Sequence, residues 1–320
     1  MPCPERRATG TEHCPRAIDG PSRNGGLWCS GRRRSSPLAI FASLSGLSCT
    51  TSGSPEAAGL EGFAEVCIAT EDGERVVAWW APPRSGGGVV LFFHGTPSTL
   101  SDTVWRLPDL QKSGLGVMAI DYRGFGDSTG SPTELGLRTD AHAAFDFIRA
   151  AAPASRIAVF GESFGTGIAI ALARERPVAG VLLNAPYASV LRLFELRGPP
   201  FPYRWLLTDK FDSEALIGGI GVPVMILHGT TDTDIPITEA RRLYAAALEP
   251  KVMTEVEGAG HLGAWKCGAR ESALEALIAW TAPDPRPPSM PDAAALPTAE
   301  RTIIRQGQPA ADRGNGLWRA

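Results

Sequence analysis

The sequence predicts an α/β fold in which helices cover both faces of a mostly parallel, doubly wound β-sheet of about eight strands. Short runs of β-branched and other apolar residues alternate with helix-length segments along the chain. Most of these runs contain no interior polar residues, which is typical of strands that are buried on both faces. About 225 residues lie between two polar tails, which is enough for one large domain. We therefore expect one domain over residues 58–283.

The predicted elements follow from the length and composition of each segment. Runs rich in Val, Ile, Leu, Phe or Trp predict strands at residues 76–80, 89–93, 116–120, 156–160, 178–183, 222–227 and 251–256. The longer segments between them predict helices at residues 102–112, 133–152, 164–175, 237–247 and 263–281. In such a sheet the active groups lie in loops at the carboxyl ends of the strands.

The charge balance argues against a nucleic-acid partner. The chain has 31 Lys and Arg against 34 Asp and Glu, a formal charge of −3 and a pI of about 6.0. Proteins that bind DNA or RNA need a basic field, which this composition does not supply. The six cysteines show no CxxC spacing, so we do not expect a zinc site.

Two tails flank the predicted domain. Residues 1–57 are rich in Arg, Ser, Gly, Pro and Thr, and residues 284–320 are rich in Pro, so we expect no packed structure in either tail. Within the first tail, Arg32–Arg34, an apolar run over 38–47 and Cys49 follow in the order of a bacterial lipoprotein export signal. An export signal predicts the cell envelope, with a lipid on Cys49 as the only membrane attachment, whereas a disordered tail predicts the cytoplasm.

Two GxSxG pentapeptides occur, one around Ser128 and one around Ser163. A nucleophile elbow needs a strand that runs directly into a tight turn and then a helix. Ser163 follows the predicted strand 156–160 directly and precedes an apolar helix, whereas Ser128 lies in a loop well past its strand. We therefore predict Ser163 as the nucleophile and a structural turn at Ser128.

A serine nucleophile needs a general base, and the base needs an orienting carboxylate. In sheets of this type the chain order is Ser, acid, His, which leaves His228 and His261. His228 ends a predicted strand where the acid is expected, whereas His261 follows the last strand in a glycine-rich loop, so we predict His261 as the base. Asp232, at the tip of the preceding turn, is the favoured acid, and Asp234 stays as the alternative.

The oxyanion of a tetrahedral intermediate needs two N–H donors that already point to it. Phe164 follows the predicted nucleophile and offers the N–H of a helix start. The loop after the strand 89–93 reads His-Gly-Thr-Pro, and we predict the N–H of Thr96 as the second donor.

The motifs together resemble the α/β-hydrolase superfamily. They are HGTP at 94–97, DYRGFGDS at 121–128, GESFG at 161–165, HGTTDTDIP at 228–236 and GAGH at 258–261. With the segment 199–212 they are similar to the serine-aminopeptidase-like and acylhydrolase-like group. The resemblance implies a catalytic triad, two oxyanion donors and a short helical cap at about 185–220. The implied triad is Ser163, Asp232 and His261, and the implied donors are Thr96 and Phe164.

The sequence therefore predicts a serine hydrolase that acts on an ester or thioester of an apolar acyl group, a small-molecule substrate, without a metal or organic cofactor. Nine apolar cap residues are expected to line the acyl group: Leu191, Leu193, Phe194, Leu196, Phe201, Tyr203, Trp205, Leu206 and Leu207. The HGTP motif is similar to that of iminopeptidases, which leaves an aminopeptidase-like amide hydrolase as one alternative. A ligand-binding protein that keeps the fold without turnover is the other.

Overall fold

The computed structural model describes residues 53–84, 87–151 and 157–283 and the backbone of residues 301–304. The strands are β1 (Ala64–Ala69), β2 (Arg75–Ala81), β3 (Val89–Phe93), β4 (Gly116–Asp121), β5 (Ile157–Glu162), β6 (Val181–Asn184), β7 (Val224–Gly229), β8 (Lys251–Val256) and β9 (Arg301–Ile304). The α-helices are α1 (Leu107–Lys112), α2 (Glu134–Ala151), α3 (Gly165–Glu175), α4 (Val190–Arg197), α5 (Ser213–Ile217), α6 (Ile237–Ala246) and α7 (Arg270–Thr281). Single turns of 3-10 or π type span Leu100–Thr103, Tyr203–Trp205 and Trp265–Ala269.

One mixed sheet organises these elements. Its strand order is β1-β2-β4-β3-β5-β6-β7-β8-β9. β2 is antiparallel to both of its neighbours, and all other neighbouring strands are parallel. Because β4 and β5 lie on opposite sides of β3, a crevice is expected at the carboxyl ends of these strands, where ligands bind in open α/β sheets. The predicted fold, a mostly parallel sheet with flanking helices, is confirmed.

The strand β3 shows why the buried runs lack polar residues. Successive side chains of a strand point to opposite faces of the sheet, and both faces of β3 are covered. Val89, Leu91 and Phe93 belong to one apolar cluster, and Val90 and Phe92 belong to a second. All five side chains are fully buried, so each helical layer packs against its own face of one central strand.

The first strand was not predicted from the sequence. β1 forms one edge of the sheet, and most of its side chains are exposed or half-buried. An edge strand needs no continuous apolar run, so its sequence, AEVCIA, lacks the signal that identifies the buried strands.

The prediction of no packed structure over residues 284–320 is wrong for four residues. Arg301–Ile304 forms β9, which is parallel to β8 and pairs with Met253–Val256. Without it, β8 would present unpaired N–H and C=O groups along an open edge. Within the described residues the sheet therefore has nine strands, where about eight were predicted.

The chain between β6 and β7 forms the cap from α4, the turn Tyr203–Trp205 and α5. Leu193 packs against the core and Leu207 is buried. Four of the nine residues expected to line the acyl group, Leu196, Phe201, Trp205 and Leu206, are exposed to solvent. Tyr203 is half-buried, and its ring contacts the ring of Phe194.

In the described part of the chain, no helix combines the length and the apolar character that a bilayer crossing requires. The predicted export signal and Cys49 lie outside the described residues.

Candidate active site

Ser163 lies on a tight turn between β5 and α3, as the strand-turn-helix prediction requires. Its φ of 48° is in the left-handed region, and its N–H donates to the carbonyl oxygen of Asn184 at 2.9 Å. The flanking glycines make this turn possible. A Cβ on Gly161 would lie 2.6 Å from the carbonyl oxygen of Gly165, and a Cβ on Gly165 would lie 2.3 Å from that of Phe93. The GxSxG pattern at this position therefore has a steric cause.

His261 lies between Ser163 and Asp232, as predicted. Its Nε2 lies 3.1 Å from Oγ of Ser163, and its Nδ1 lies 2.8 Å from Oδ2 of Asp232. The loop after β8 brings the ring there, and Leu262 adopts a left-handed φ of 57° at the bend. A hydroxyl, an imidazole and a carboxylate thus form one hydrogen-bonded chain, which is the arrangement that removes a proton from a serine.

The surroundings of Asp232 keep its carboxylate ionised. Burial by itself would raise the pKa of this group. Hydrogen bonds with the two imidazoles, His228 and His261, outweigh burial and hold the pKa of Asp232 well below its usual range. Its second oxygen, Oδ1, accepts the N–H groups of Asp234 and Ile235, both at 2.8 Å. A fixed negative charge therefore faces Nδ1 of His261.

Of the two candidate acids, the structure brings Asp232 to His261. The side chain of Asp234 is 62% exposed, and its Oδ1 lies 3.9 Å from the guanidinium of Arg197. One ligand atom from each of Asp232, Asp234 and His261 lies within 4.8 Å of the others, a spacing that suits a cation. Both ring nitrogens of His261 already have partners, so an ion at this turn would compete with the contacts to Ser163 and Asp232.

His228, the other histidine considered as the base, is fully buried next to the turn that carries Asp232. Its Nε2 lies 2.9 Å from the carbonyl oxygen of Ile235 and 3.4 Å from Oδ2 of Asp232. Sequence order placed His228 near the acid, but nothing in the sequence predicted that its ring would contact the carboxylate.

Ser128 has a structural place, as predicted. Its Oγ accepts the N–H of Val77 at 2.8 Å and donates to the carbonyl oxygen of Asp121 at 2.7 Å. This hydroxyl links the loop after β4 to β2, and both of its roles as donor and acceptor are used.

The two predicted oxyanion donors lie at the ends of neighbouring strands. Thr96 is in the loop after β3, and Phe164 precedes the first turn of α3. Neither N–H has an acceptor among the residues that the structure describes. The loop of Thr96 is held by His94, whose Nδ1 lies 2.7 Å from the carbonyl oxygen of Gly95 and whose own carbonyl accepts the hydroxyl of Tyr122.

A buried ion pair next to Ser163 was not predicted from the sequence. The carboxylate of Glu162 binds the guanidinium of Arg106 and accepts Nδ2 of Asn184 at 3.2 Å. Both charged side chains are about 2% exposed, and the guanidinium carbon lies 3.6 Å from the ring centroid of Trp105. Glu162 lies inside the GxSxG motif, but no pattern marks Arg106, because the two residues are distant in sequence.

Comparisons with known proteins agree with this geometry. A family described as serine aminopeptidase, S33, matches residues 85–210. An uncharacterised protein of Mycobacterium tuberculosis is 37% identical over 201 residues, which are 62% of this chain and 72% of the relative. A lysophosphatidylserine lipase of Xenopus tropicalis is 33% identical over 189 residues, 52% of this chain and 48% of the relative.

Solved structures support the same fold. An esterase of Pyrococcus furiosus superimposes with a TM-score of 0.58 and 20% identity, over 72% of this chain and 94% of the esterase. The strand order, the turn at Ser163 and the sequence relatives all agree with the resemblance found in the motifs. The chain therefore belongs to the α/β-hydrolase superfamily, and the function that this membership supports is that of a hydrolase.

Proposed function

We propose that the protein is a serine hydrolase that cleaves a carboxylic ester of an apolar acyl group through an acyl-enzyme on Ser163. One observation carries the proposal: Oγ of Ser163, the imidazole of His261 and the carboxylate of Asp232 form a continuous chain with separations of 3.1 and 2.8 Å. These distances lie within the reach that proton transfer requires.

In the first half of the cycle, Ser163 becomes acylated. Oγ of Ser163 attacks the carbonyl carbon of the ester while Nε2 of His261 takes the hydroxyl proton. Asp232 accepts the Nδ1–H and stabilises the imidazolium that forms. The negative oxygen of the tetrahedral intermediate is held by the N–H groups of Thr96 and Phe164. The intermediate collapses, the C–O bond to the alcohol breaks, and His261 gives its proton to the leaving oxygen.

Deacylation repeats the steps with water. His261 removes a proton from a water molecule, whose oxygen attacks the acyl carbon bound to Ser163. The second tetrahedral intermediate collapses to a carboxylic acid, and the proton returns from His261 to Oγ of Ser163. Only Ser163 and His261 change their covalent or protonation state during the cycle. The cycle needs no metal ion or organic cofactor.

The preference for an ester rests on relatives and on the cap. The Xenopus relative is named as a lipase, and the Pyrococcus structure with the same fold is named as an esterase. In the cap, Leu191, Leu193, Phe194 and Tyr203 are half-buried apolar residues, which suits an acyl chain better than the charged amino terminus of a peptide. A thioester of the same acyl group would follow the same steps.

The description of the matched family supports a second candidate, an aminopeptidase-like amide hydrolase. It would use the same triad, since Ser163 and His261 act on an amide as on an ester. The two candidates differ in the substrate that turns over faster, which the acyl-chain comparison in the Discussion measures. A ligand-binding protein on the same fold would turn over neither.

The test compares Ser163→Ala with Ser128→Ala, the serine of the other pentapeptide, on p-nitrophenyl hexanoate. We expect Ser163→Ala to lose about 10⁴-fold or more in kcat. We expect Ser128→Ala to keep its kcat once folding is verified by circular dichroism. Full activity of the Ser163→Ala protein would contradict the proposal, and no turnover by the unsubstituted protein would favour the ligand-binding alternative.

A further inference from the structure

The buried ion pair of Arg106 and Glu162 joins the two chain segments that carry the predicted oxyanion donors. We name residues 94–106 the oxyanion loop; this segment follows β3, contains Thr96 and ends at Arg106, directly before α1. Glu162 is the last residue of β5 and directly precedes Ser163. In the described part of the chain no other carboxylate forms an ion pair with Arg106. The pair is therefore a direct link between the oxyanion loop and the turn that presents the nucleophile.

The two segments also touch next to the reacting hydroxyl. A Cβ on Gly95 would lie 3.0 Å from Cβ of Ser163 and 3.6 Å from its Oγ. A Cβ on Gly165 would lie 2.7 Å from the carbonyl oxygen of His94. Hydrogen bonds weaken steeply as their geometry departs from the optimum, and a misplacement of about 1 Å can cost about 10²-fold in rate. The position of the oxyanion loop relative to Ser163 therefore affects how well the N–H of Thr96 stabilises an oxyanion.

The carboxylate of Glu162 also acts on the turn at Ser163. Its Oε1 accepts Nδ2 of Asn184 at 3.2 Å, and the carbonyl oxygen of Asn184 accepts the N–H of Ser163 at 2.9 Å. The left-handed φ of Ser163, 48°, is a conformation that a residue with a side chain keeps only when its surroundings hold it. One carboxylate thus contacts the oxyanion loop through Arg106 and the backbone partner of Ser163 through Asn184.

The guanidinium of Arg106 is itself held in place. The N–H of Arg106 donates to the carbonyl oxygen of Thr103 at 2.9 Å. The guanidinium carbon lies 3.6 Å from the ring centroid of Trp105, and Nζ of Lys266 lies 3.8 Å from the same centroid. A cation that packs on an aromatic ring is attracted to the face of that ring. The guanidinium is therefore a fixed anchor for Glu162 and differs in this respect from a flexible cation at the surface.

We propose that Glu162 and Arg106 are positioning residues that set the distance between Ser163 and the N–H donor of Thr96. This inference rests on the proposed function. A buried ion pair contributes little net stability, because the loss of hydration offsets the attraction between the charges, and a neutral pair of similar shape often folds equally well. A neutral pair does not retain the short, directional bond between two charged groups. The ion pair therefore acts on the transition state, in which the oxyanion is present, and leaves the binding of the neutral ester unchanged.

The test uses two ketones that differ in their reaction with Ser163. Oγ of Ser163 adds to the carbonyl carbon of trifluoromethyl hexyl ketone, and the hydroxyl proton passes to His261, so that the ketone oxygen becomes negative as in the tetrahedral intermediate. Methyl hexyl ketone has the same chain but a less reactive carbonyl, and it binds without forming this bond. The ratio of the two inhibition constants therefore measures stabilisation of the oxyanion separately from binding of the chain.

The main variant is Arg106→Met with Glu162→Gln, which removes both charges and keeps an amide oxygen that can accept Nδ2 of Asn184. We expect this variant to bind the fluorinated ketone about tenfold or more weakly than the unsubstituted protein. Its kcat/KM on p-nitrophenyl hexanoate should fall by about the same factor. Its inhibition constant for methyl hexyl ketone should stay unchanged.

The matched control is Arg138→Met with Glu175→Gln. This ion pair joins α2 to the last residue of α3, whereas Ser163 precedes the first turn of that helix. The control should bind both ketones as the unsubstituted protein does, and thermal unfolding followed by circular dichroism verifies that each variant folds. Glu162→Gln alone leaves a neutral acceptor for Arg106 and should show the same difference between the ketones with a loss of about three- to tenfold. It supplies the result if the double variant does not fold.

The proposal is overturned if the folded variants bind the fluorinated ketone as the unsubstituted protein does. It is also overturned if the affinity for both ketones falls by the same factor, because the ion pair would then only maintain the shape of the site. Failure of the proposed function gives a different result, in which the unsubstituted protein neither hydrolyses the ester nor prefers the fluorinated ketone, and both proposals are then wrong. Loss of activity in Ser163→Ala together with full activity of the double variant overturns this inference alone.

Discussion

His228 and Asp232 are in contact across the turn that follows β7, with Nε2 of the imidazole 3.4 Å from Oδ2 of the carboxylate. The same nitrogen lies 2.9 Å from the carbonyl oxygen of Ile235. Both of these oxygens are acceptors, so Nε2 of His228 carries the proton. His228 thereby connects the start and the end of the turn that presents Asp232 to His261, and it restrains the orientation of the carboxylate.

Replacement of His228 should therefore lower kcat without changing substrate binding. A hydrogen bond to a charged group contributes about 1.5–3 kcal/mol, and at 3.4 Å we expect the lower end, about tenfold in rate. We expect His228→Leu to lose about this factor in kcat at unchanged KM, and His228→Gln, which restores an N–H donor, to recover part of it.

The control for this prediction is His142→Leu, because His142 pairs with Glu175 away from Ser163. Steady-state kinetics on a soluble ester measures all three variants. If His228→Leu keeps the full kcat, the contact with Asp232 has no role in turnover.

Replacement of Asp232 should lower kcat far more than replacement of Asp234. Without Asp232, His261 loses the tautomer that leaves Nε2 free to accept a proton, so Asp232→Asn should lower kcat about 10²- to 10⁴-fold. Asp234→Asn should cost less than about tenfold, because its side chain points to solvent and makes no contact with Nδ1 of His261. Both variants are measured at saturating substrate and with EDTA, which should leave the unsubstituted rate unchanged. The reverse ranking would transfer the role of acid to Asp234.

The low pKa of Asp232 predicts a pH-dependent contribution to stability. The native protein favours the ionised carboxylate, so this contribution is complete above the unfolded pKa of about 3.9. It is lost as the pH falls through the lower native pKa. Asp232→Asn should therefore reduce the free energy of unfolding at pH 7, and the difference should shrink as the pH falls below about 4. Urea unfolding at several pH values measures both proteins, and a difference that does not vary with pH would argue against an ionised, stabilised Asp232.

Among ester substrates, kcat/KM should depend on the length of the acyl group. Each methylene that is buried contributes about 0.8 kcal/mol, which is about fourfold in kcat/KM. We expect kcat/KM to rise along the p-nitrophenyl esters from acetyl to hexanoyl, and aminoacyl anilides, including that of proline, to react slowly. Faster hydrolysis of the anilides than of the esters would favour the aminopeptidase-like alternative.

Much of the fold could be predicted because the buried strands carry their own signal. Every residue of β3 is covered on both faces, so the run Val89–Phe93 has no polar interruption. The two edge strands do not have such an apolar run. β1 is largely exposed, and the short β9 lies in a proline-rich tail. The exposure of Trp205 could not be predicted either, because an apolar residue in such a segment has the same sequence signal whether it is buried or exposed.

The site could be predicted where function fixes chain order and local geometry. The turn at Ser163 requires glycines on both sides, and the order of acid and histidine along the chain selected Asp232 and His261. Contacts between distant segments are not indicated by any pattern in the sequence. The ion pair of Glu162 with Arg106 joins residues that are 56 positions apart, and nothing in the composition of either segment indicates the partner.

The central claim is that Ser163 is the nucleophile, and covalent labelling with a fluorophosphonate tests it most directly. The probe reacts with a serine only when a base activates its hydroxyl, so peptide mass spectrometry should locate one adduct, on Ser163. The adduct should persist in Ser128→Ala and disappear in Ser163→Ala, and His261→Ala should greatly slow its formation. An adduct on Ser128 or any other residue in the unsubstituted protein, or no adduct at all, would contradict the account.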